Sequence, residues 1–478
     1  MTRSLIAVAT MLAPACALAH GFGRLYNLPV PFWLYAWGSA ATLIVSFLLV
    51  GLFATTSTAA TAPRSRQITL PGWLRSLLPL LQAFSVLVLM LSIATALFGN
   101  RDPYRNFGMI AFWVTFVLGL TYLTAMTGNV YARLNPWRAL AQGINRLWRG
   151  FTTGRIAYPA WLGDWPALAL YLGFISFELF GTGRPFPLGV ALLGYTGLTL
   201  FAVWLFGAAA WFRHGECFAV FLRLIGMLAP LHWRQSGPPT LHPPMTAIIR
   251  KPAPSIGAVT FALAMLSTTA FDGLSATQWW VQRFWSDPYG IVHALLGAPP
   301  MSVLAEALPW YRAWEAVCLL ASPFLYLAVY LLCIWMAKRL TGTSRSLRDL
   351  ALDFGYSLLP ISLVYHMTHY ATLLLTDGLK ILSLISDPFG WGWNLFGTTW
   401  KFRAPILPDM AMVWHSQVGL ILLGHILSVY VAHRIALRVF SSRRQALLSQ
   451  LPMLLLMVSF TVAGLWILAA PLTVERMT

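Results

Sequence analysis

The sequence predicts an all-α protein: a polytopic bundle of about ten transmembrane helices behind a cleaved signal peptide. Three observations carry this. Of the 478 residues, 58% are hydrophobic and only 10% charged, where a soluble domain carries about 25% charged residues. Apolar stretches of about 20 residues, the length a helix needs to cross a bilayer, recur along the chain. The period-two alternation of a membrane barrel is missing, which leaves helices as the form that satisfies its own backbone in lipid.

The N-terminus reads as a secretory leader. Arg3 precedes an apolar stretch from Leu5, and Ala17-Leu18-Ala19 supplies the small residues of a cleavage site before His20. Residues 1–19 are then the signal peptide and 20–478 a single membrane domain. The first spans, near 33–54 and 77–99, flank Arg64, Arg66 and Arg75. Those near 107–127 and 165–183 flank Arg133, Arg138, Arg146, Arg149 and Arg155. Those near 188–210 and 254–271 flank Arg213, Arg223, Arg234, Arg250 and Lys251. Spans near 309–337 and 350–376 flank Lys338, Arg339, Arg345 and Arg348. The last two, near 410–433 and 447–470, flank Arg434, Arg438, Arg443 and Arg444. These alternate loops hold 21 of the 32 basic residues, so the positive-inside rule makes them cytoplasmic. Both mature termini then face the periplasm of a bacterial inner membrane. The net charge of +18 is a matter of topology, and no nucleic-acid partner is expected; membrane lipid is.

Two cytoplasmic loops, 128–163 and 212–253, are basic and partly amphipathic. Phe218–Ile225 within the second is expected to lie as a helix on the inner surface. The periplasmic stretches 272–308 and 378–409 are rich in Gly, Pro and Trp and suit a lid or mouth. Many of the 22 Trp residues fall at span ends, as interfacial belts require. Four cysteines (Cys16, Cys217, Cys318, Cys333) have neither metal-ligand spacing nor a disulfide pattern.

Ionisable groups inside apolar runs point to chemistry. His366 and His369 lie within one apolar span three residues apart, which puts both on one helix face. The topology gathers Asp272, Glu178, Glu315, His415 and Asp377 toward the same periplasmic half. Imidazoles plus carboxylates without thiolates are the ligand types of a zinc or similar divalent site, which can turn bound water into hydroxide. The expected acid/base residues are Asp272, His366, His369 and Asp377. The expected metal ligands are His366, His369, Asp272, His415 and Glu315. The same groups also suit a proton relay or cation path, or hydrogen bonds between helices. Glu178 and Glu315 have Arg184 and Arg312 as rival partners. A mature N-terminal His20 would offer a copper chelate. Trp211–Cys217 reads as the start of an interfacial helix. No phosphate loop, nucleophile elbow, dinucleotide fingerprint or His-Glu-x-x-His is present.

Several segments together resemble a family of bacterial integral membrane proteins labelled fenitrothion hydrolase. They are His20–Gly23, Leu28–Gly38, Leu134–Leu140, Phe271–Ser275, His369-Tyr370, Ile385–Gly390, Leu395–Thr398 and Gln450–Met453. The resemblance runs over nearly the whole chain. It implies hydrolysis of an organophosphate triester, an apolar small molecule, to a phenol and a dialkyl thiophosphate. It also implies a second membrane subunit as partner, and it carries no residue roles. Three other readings stay open: a transporter or channel for a cation or small solute, a copper-handling protein, and an accessory membrane subunit without chemistry of its own.

Overall fold

The computed structural model describes residues 31–53, 65–69, 71–233, 238–402, 404–406 and 409–470. The signal peptide over 1–19 and the copper site at His20 lie outside these residues. The described chain is almost wholly helical. Its main helices are α1 (Phe32–Phe53), α2 (Leu78–Phe98), α3 (Phe107–Thr127), α4 (Trp165–Phe180), α5 (Pro185–Phe206), α6 (Cys217–Gly226), α7 (Ile256–Ser275), α8 (Leu304–Thr341), α9 (Leu359–Asp377), α10 (Met410–Val439) and α11 (Arg443–Ala469). Among the described residues, nine helices are long and apolar enough to cross a membrane. The tenth expected span is α4, whose 16 residues reach about 24 Å against a hydrocarbon core of about 30 Å.

α7 is the centre. Sixteen of its 20 residues are buried, as befits a helix that is apolar on every side. It packs on α4, α8 and α9. α1, α10 and α11 form one flank with α8, and α2 and α5 pair on the other. Ser255 starts α7 by accepting the Ala258 N–H at 3.1 Å, and its hydroxyl donates to buried Asp164 at 3.0 Å. One serine thus caps α7 and ties it to the start of α4.

The loops expected on one side meet one another. Arg66–Gln67 (β1) and Leu231–His232 (β2) both pair antiparallel with Thr240–Leu241 (β3). Arg438 donates to Asp353 at 2.7 Å, and Arg443 to the Gly51 carbonyl at 2.7 Å. These contacts make one arginine-rich end of the bundle. At the opposite end, Lys380 lies over the Tyr104 ring at 5.1 Å.

Two elements differ from the sequence reading. α8 is 38 residues long, about 57 Å, so it overshoots the bilayer. Its first turns carry a small second core of Phe284, Trp285, Ala307 and Tyr311. The Phe218–Ile225 segment does not lie on a surface. Of α6, every residue except Arg223 is buried, and the helix packs between α3, α4 and α9. The physical reason is its capping. Glu216, itself fully buried, accepts the Phe218 and Ala219 N–H groups at 3.0 and 2.8 Å. It also accepts from Asn135 Nδ2 at 3.0 Å and from the Tyr195 hydroxyl. With its helix N-terminus satisfied inside the protein, a ten-residue apolar helix can leave the interface.

Candidate active site in the membrane bundle

His366 and His369 share α9 but have different surroundings. Three residues turn a helix by about 300°, so the rings point about 60° apart. His369 turns to α7, where its Nε2 lies 2.7 Å from Asp272 Oδ2. Asp272 is 1% exposed, and this pairing accompanies a buried carboxylate as burial demands. The next residue, Tyr370, donates its hydroxyl to the same carboxylate oxygen at 3.3 Å. Asp272, His369 and Tyr370 thus form one polar cluster across α7 and α9, and Tyr370 shares a cavity lining with Glu178 of α4.

His366 looks the other way, toward α3 and α6. It is 8% exposed, and its Nδ1 has no hydrogen-bond partner. Aromatic rings surround it: Tyr122 at 5.9 Å, Phe221 at 6.1 Å and Tyr370 at 5.0 Å. The Tyr122 hydroxyl is also buried without a partner. Buried polar atoms are nearly always satisfied, so two neighbouring exceptions need a cause.

For His366 the cause is a cavity of about 160 Å³ that it lines together with Tyr370 and Glu178. A space of this size takes a small organic molecule. Its apolar wall is aromatic: Trp113 stacks on Phe174 at 5.5 Å, and Phe116 meets Phe218 edge-on at 5.1 Å. α6 closes the floor with Phe218, Phe221 and Leu222. The α3 wall is a π-helix over Ile110–Gly119, a wider winding that recurs at functional sites. Tyr104, Arg184 and Asp377 stand on the lining at the end opposite the arginine-rich loops. There Asp377 pairs with Lys380 and accepts from Thr376 Oγ1 at 3.1 Å. Burial, then Asp377 and Asp102, push the Tyr104 phenol up to about 12.

The expected site residues therefore divide. His366 and Asp377 line the cavity, while His369 and Asp272 sit behind Tyr370. Glu315 is buried in α8. His415 is exposed, with Nδ1 2.7 Å from the Ala411 carbonyl of its own helix. Among the described residues, no three His, Cys, Asp or Glu side chains converge on a point suited to a metal. Sequence reasoning passed over Tyr370 as a chemical group, Phe221 as a lining residue and Tyr122 altogether. The signal for Tyr370 was its place beside His369 in an otherwise apolar span. Compared with known proteins, the chain matches no family model, no curated protein and no solved structure.

Proposed function

We propose that the cavity is the reaction site of a membrane-bound hydrolase for apolar phosphotriesters. The observation that carries this reading is His366, a neutral-capable imidazole held unpartnered in an aromatic cavity beside Glu178 and Tyr370. An imidazole without a protein partner is free to take a proton from water. In the proposed step, a water oxygen attacks phosphorus while His366 accepts one of its protons. The bond from phosphorus to the aryl oxygen breaks, and its electron pair leaves with the phenolate. The aromatic wall suits a substrate that arrives from the bilayer. The floor made by α6 favours a binding and reaction chamber over a conduction path.

A divalent metal would require more converging ligands than the described cluster offers, because Asp272 already engages His369 Nε2. No step is therefore routed through one. The cavity mouth would face the periplasm of the bacterial inner membrane, following the positive-inside orientation.

Purified protein in proteoliposomes, supplied with an aryl dialkyl thiophosphate, tests the reading. Phenol release by the wild type, lost in His366→Phe, supports it. Accumulation of intact triester inside the vesicles without phenol would instead make the chain a transporter. Activity that appears only with a co-expressed membrane subunit would assign the chain an accessory role.

A further inference from the structure

The charges at the cavity mouth leave one cation over. Asp377 is paired with Lys380 and accepts from Thr376 Oγ1. The exposed Asp102 lies 3.7 Å from Arg105. Arg184, the residue just before α5, is exposed on the cavity lining. Among the described residues its guanidinium has no hydrogen bond or ion pair, and Glu178, its rival partner in the sequence, is engaged by other groups. A second donor shares this lining. Tyr104 is half-buried, with the Lys380 ammonium 5.1 Å from its ring centre. Its hydroxyl has no acceptor among the described residues. With the phenol pushed up to about 12, it keeps its proton at neutral pH and is free to donate. Behind Arg184 and Tyr104 the lining is mainly apolar and aromatic, down to the α6 floor.

We propose that Arg184 and Tyr104 bind the anionic head of a monoanionic phosphodiester whose apolar arms occupy the aromatic chamber. A guanidinium presents its N–H groups as a fork that matches phosphate oxygens, and the charge strengthens each bond. Two sources share this chemistry. One is the dialkyl thiophosphate that triester hydrolysis would release, and this source rests on the reading of the cavity as a reaction site. The triester is neutral and the diester carries one negative charge, so Arg184 would hold the product and leave the substrate alone. The other source is the phosphodiester group of membrane lipid. Headgroups flank the hydrocarbon core, and Arg184 stands in the turn between the end of α4 and the start of α5, at the depth where such groups lie.

Calorimetric titration of the full-length protein, freed of lipid in an uncharged detergent, tests the site. The probes are diethyl thiophosphate and, separately, a short-chain phosphatidylglycerol. Binding of the first alone assigns the site to the product, binding of the second alone to a lipid headgroup, and binding of both to the shared group. In each case Arg184→Gln should weaken binding at least about tenfold, as for loss of a charge-assisted hydrogen bond, and Tyr104→Phe roughly fivefold. Arg184→Lys should keep part of the affinity, because it keeps the charge and loses the fork. Failure of both probes to bind, or equal affinity in Arg184→Gln, overturns the proposal. So does an equal loss for the neutral triethyl thiophosphate, which would mean damage to the fold and no recognition of charge. Binding of diethyl thiophosphate without triester hydrolysis would sink the hydrolase reading and leave the anion site standing. Hydrolysis without anion binding would do the reverse.

Discussion

Replacing His366 by Phe should make the protein more stable and inactive at once. The ring is 8% exposed and its Nδ1 has no partner. An unsatisfied buried polar group costs about 1–3 kcal/mol. Phenylalanine has a similar shape and would enter a shell already made of Tyr122, Phe221 and Tyr370 rings. Some of the gain is lost to imperfect packing, on the order of 1 kcal/mol. The net stabilisation is then up to about 2 kcal/mol, an upward shift of up to roughly 2 °C in apparent Tm for a chain of this length. Thermal unfolding of full-length protein in one detergent, at a fixed scan rate because such unfolding is irreversible, measures it. Triester hydrolysis should fall about a hundredfold or more, as when a general base is removed. A lower Tm in the variant would refute the reasoning, because it would mean that the imidazole bonds to the fold and is not held open for a ligand.

His369→Ala takes the closest partner from a buried carboxylate and should cost about 3–5 kcal/mol. The double variant His369→Leu with Asp272→Leu should be the more stable of the two in denaturant titration, and the opposite order would contradict the pairing. Gly464→Ala places a methyl carbon 1.8 Å from the Tyr365 hydroxyl oxygen and 2.6 Å from its Cζ. It forces that ring off the Phe460 carbonyl, which it bonds at 2.7 Å, at a cost of about 2–3 kcal/mol; an unchanged Tm would show that α9 and α11 are not packed this closely. In the small sheet, burial, then His242 and Lys251, hold the His232 imidazole below its usual value of 6.5. A depressed histidine contributes stability that is present above the unfolded value and lost as pH falls through the folded one. Hydrogen exchange along β2 and β3 should therefore quicken below pH 6.5 in the wild type. His232→Phe should flatten that dependence, and equal profiles in the two proteins would remove His232 as its source.

The spans were legible because lipid imposes length and hydropathy on each helix separately. Loop charge then paired the loops, and the sheet joining Arg66–Gln67 to Thr240–Leu241 sets those two loops at one end of the bundle. Packing within the bundle was not legible in this way. The helical repeat placed His366 and His369 on one broad face, yet 60° of rotation sends one ring to Asp272 and the other into a cavity. Which helix stands opposite each ring is a long-range fact that local periodicity does not encode. Phe218–Ile225 looked interfacial because it lies in a basic and partly amphipathic loop. The missing information was Glu216, whose buried cap with Asn135 and Tyr195 comes from distant parts of the chain. Glu178 had Arg184 as its nearest basic neighbour in sequence, and the fold sets both on the cavity lining with Tyr370.

The irregular elements of the bundle border one place. α3 winds as a π-helix where it faces the cavity. α4 is shorter than a bilayer is thick, and α6 is a ten-residue helix buried within the protein. Each departs from what a span would do if stability alone decided its form, and each contributes lining residues. A regular helix in the place of α6 would fill the cavity or cross the membrane. A half-length helix held by a buried glutamate instead provides a floor of Phe218, Phe221 and Leu222 beneath His366. Breaks in local regularity that coincide in space are a mark of function. Here they coincide with an unpartnered imidazole beside the buried Asp272–His369 pair, which is why we place the proposed chemistry in this cavity and not at the exposed His415.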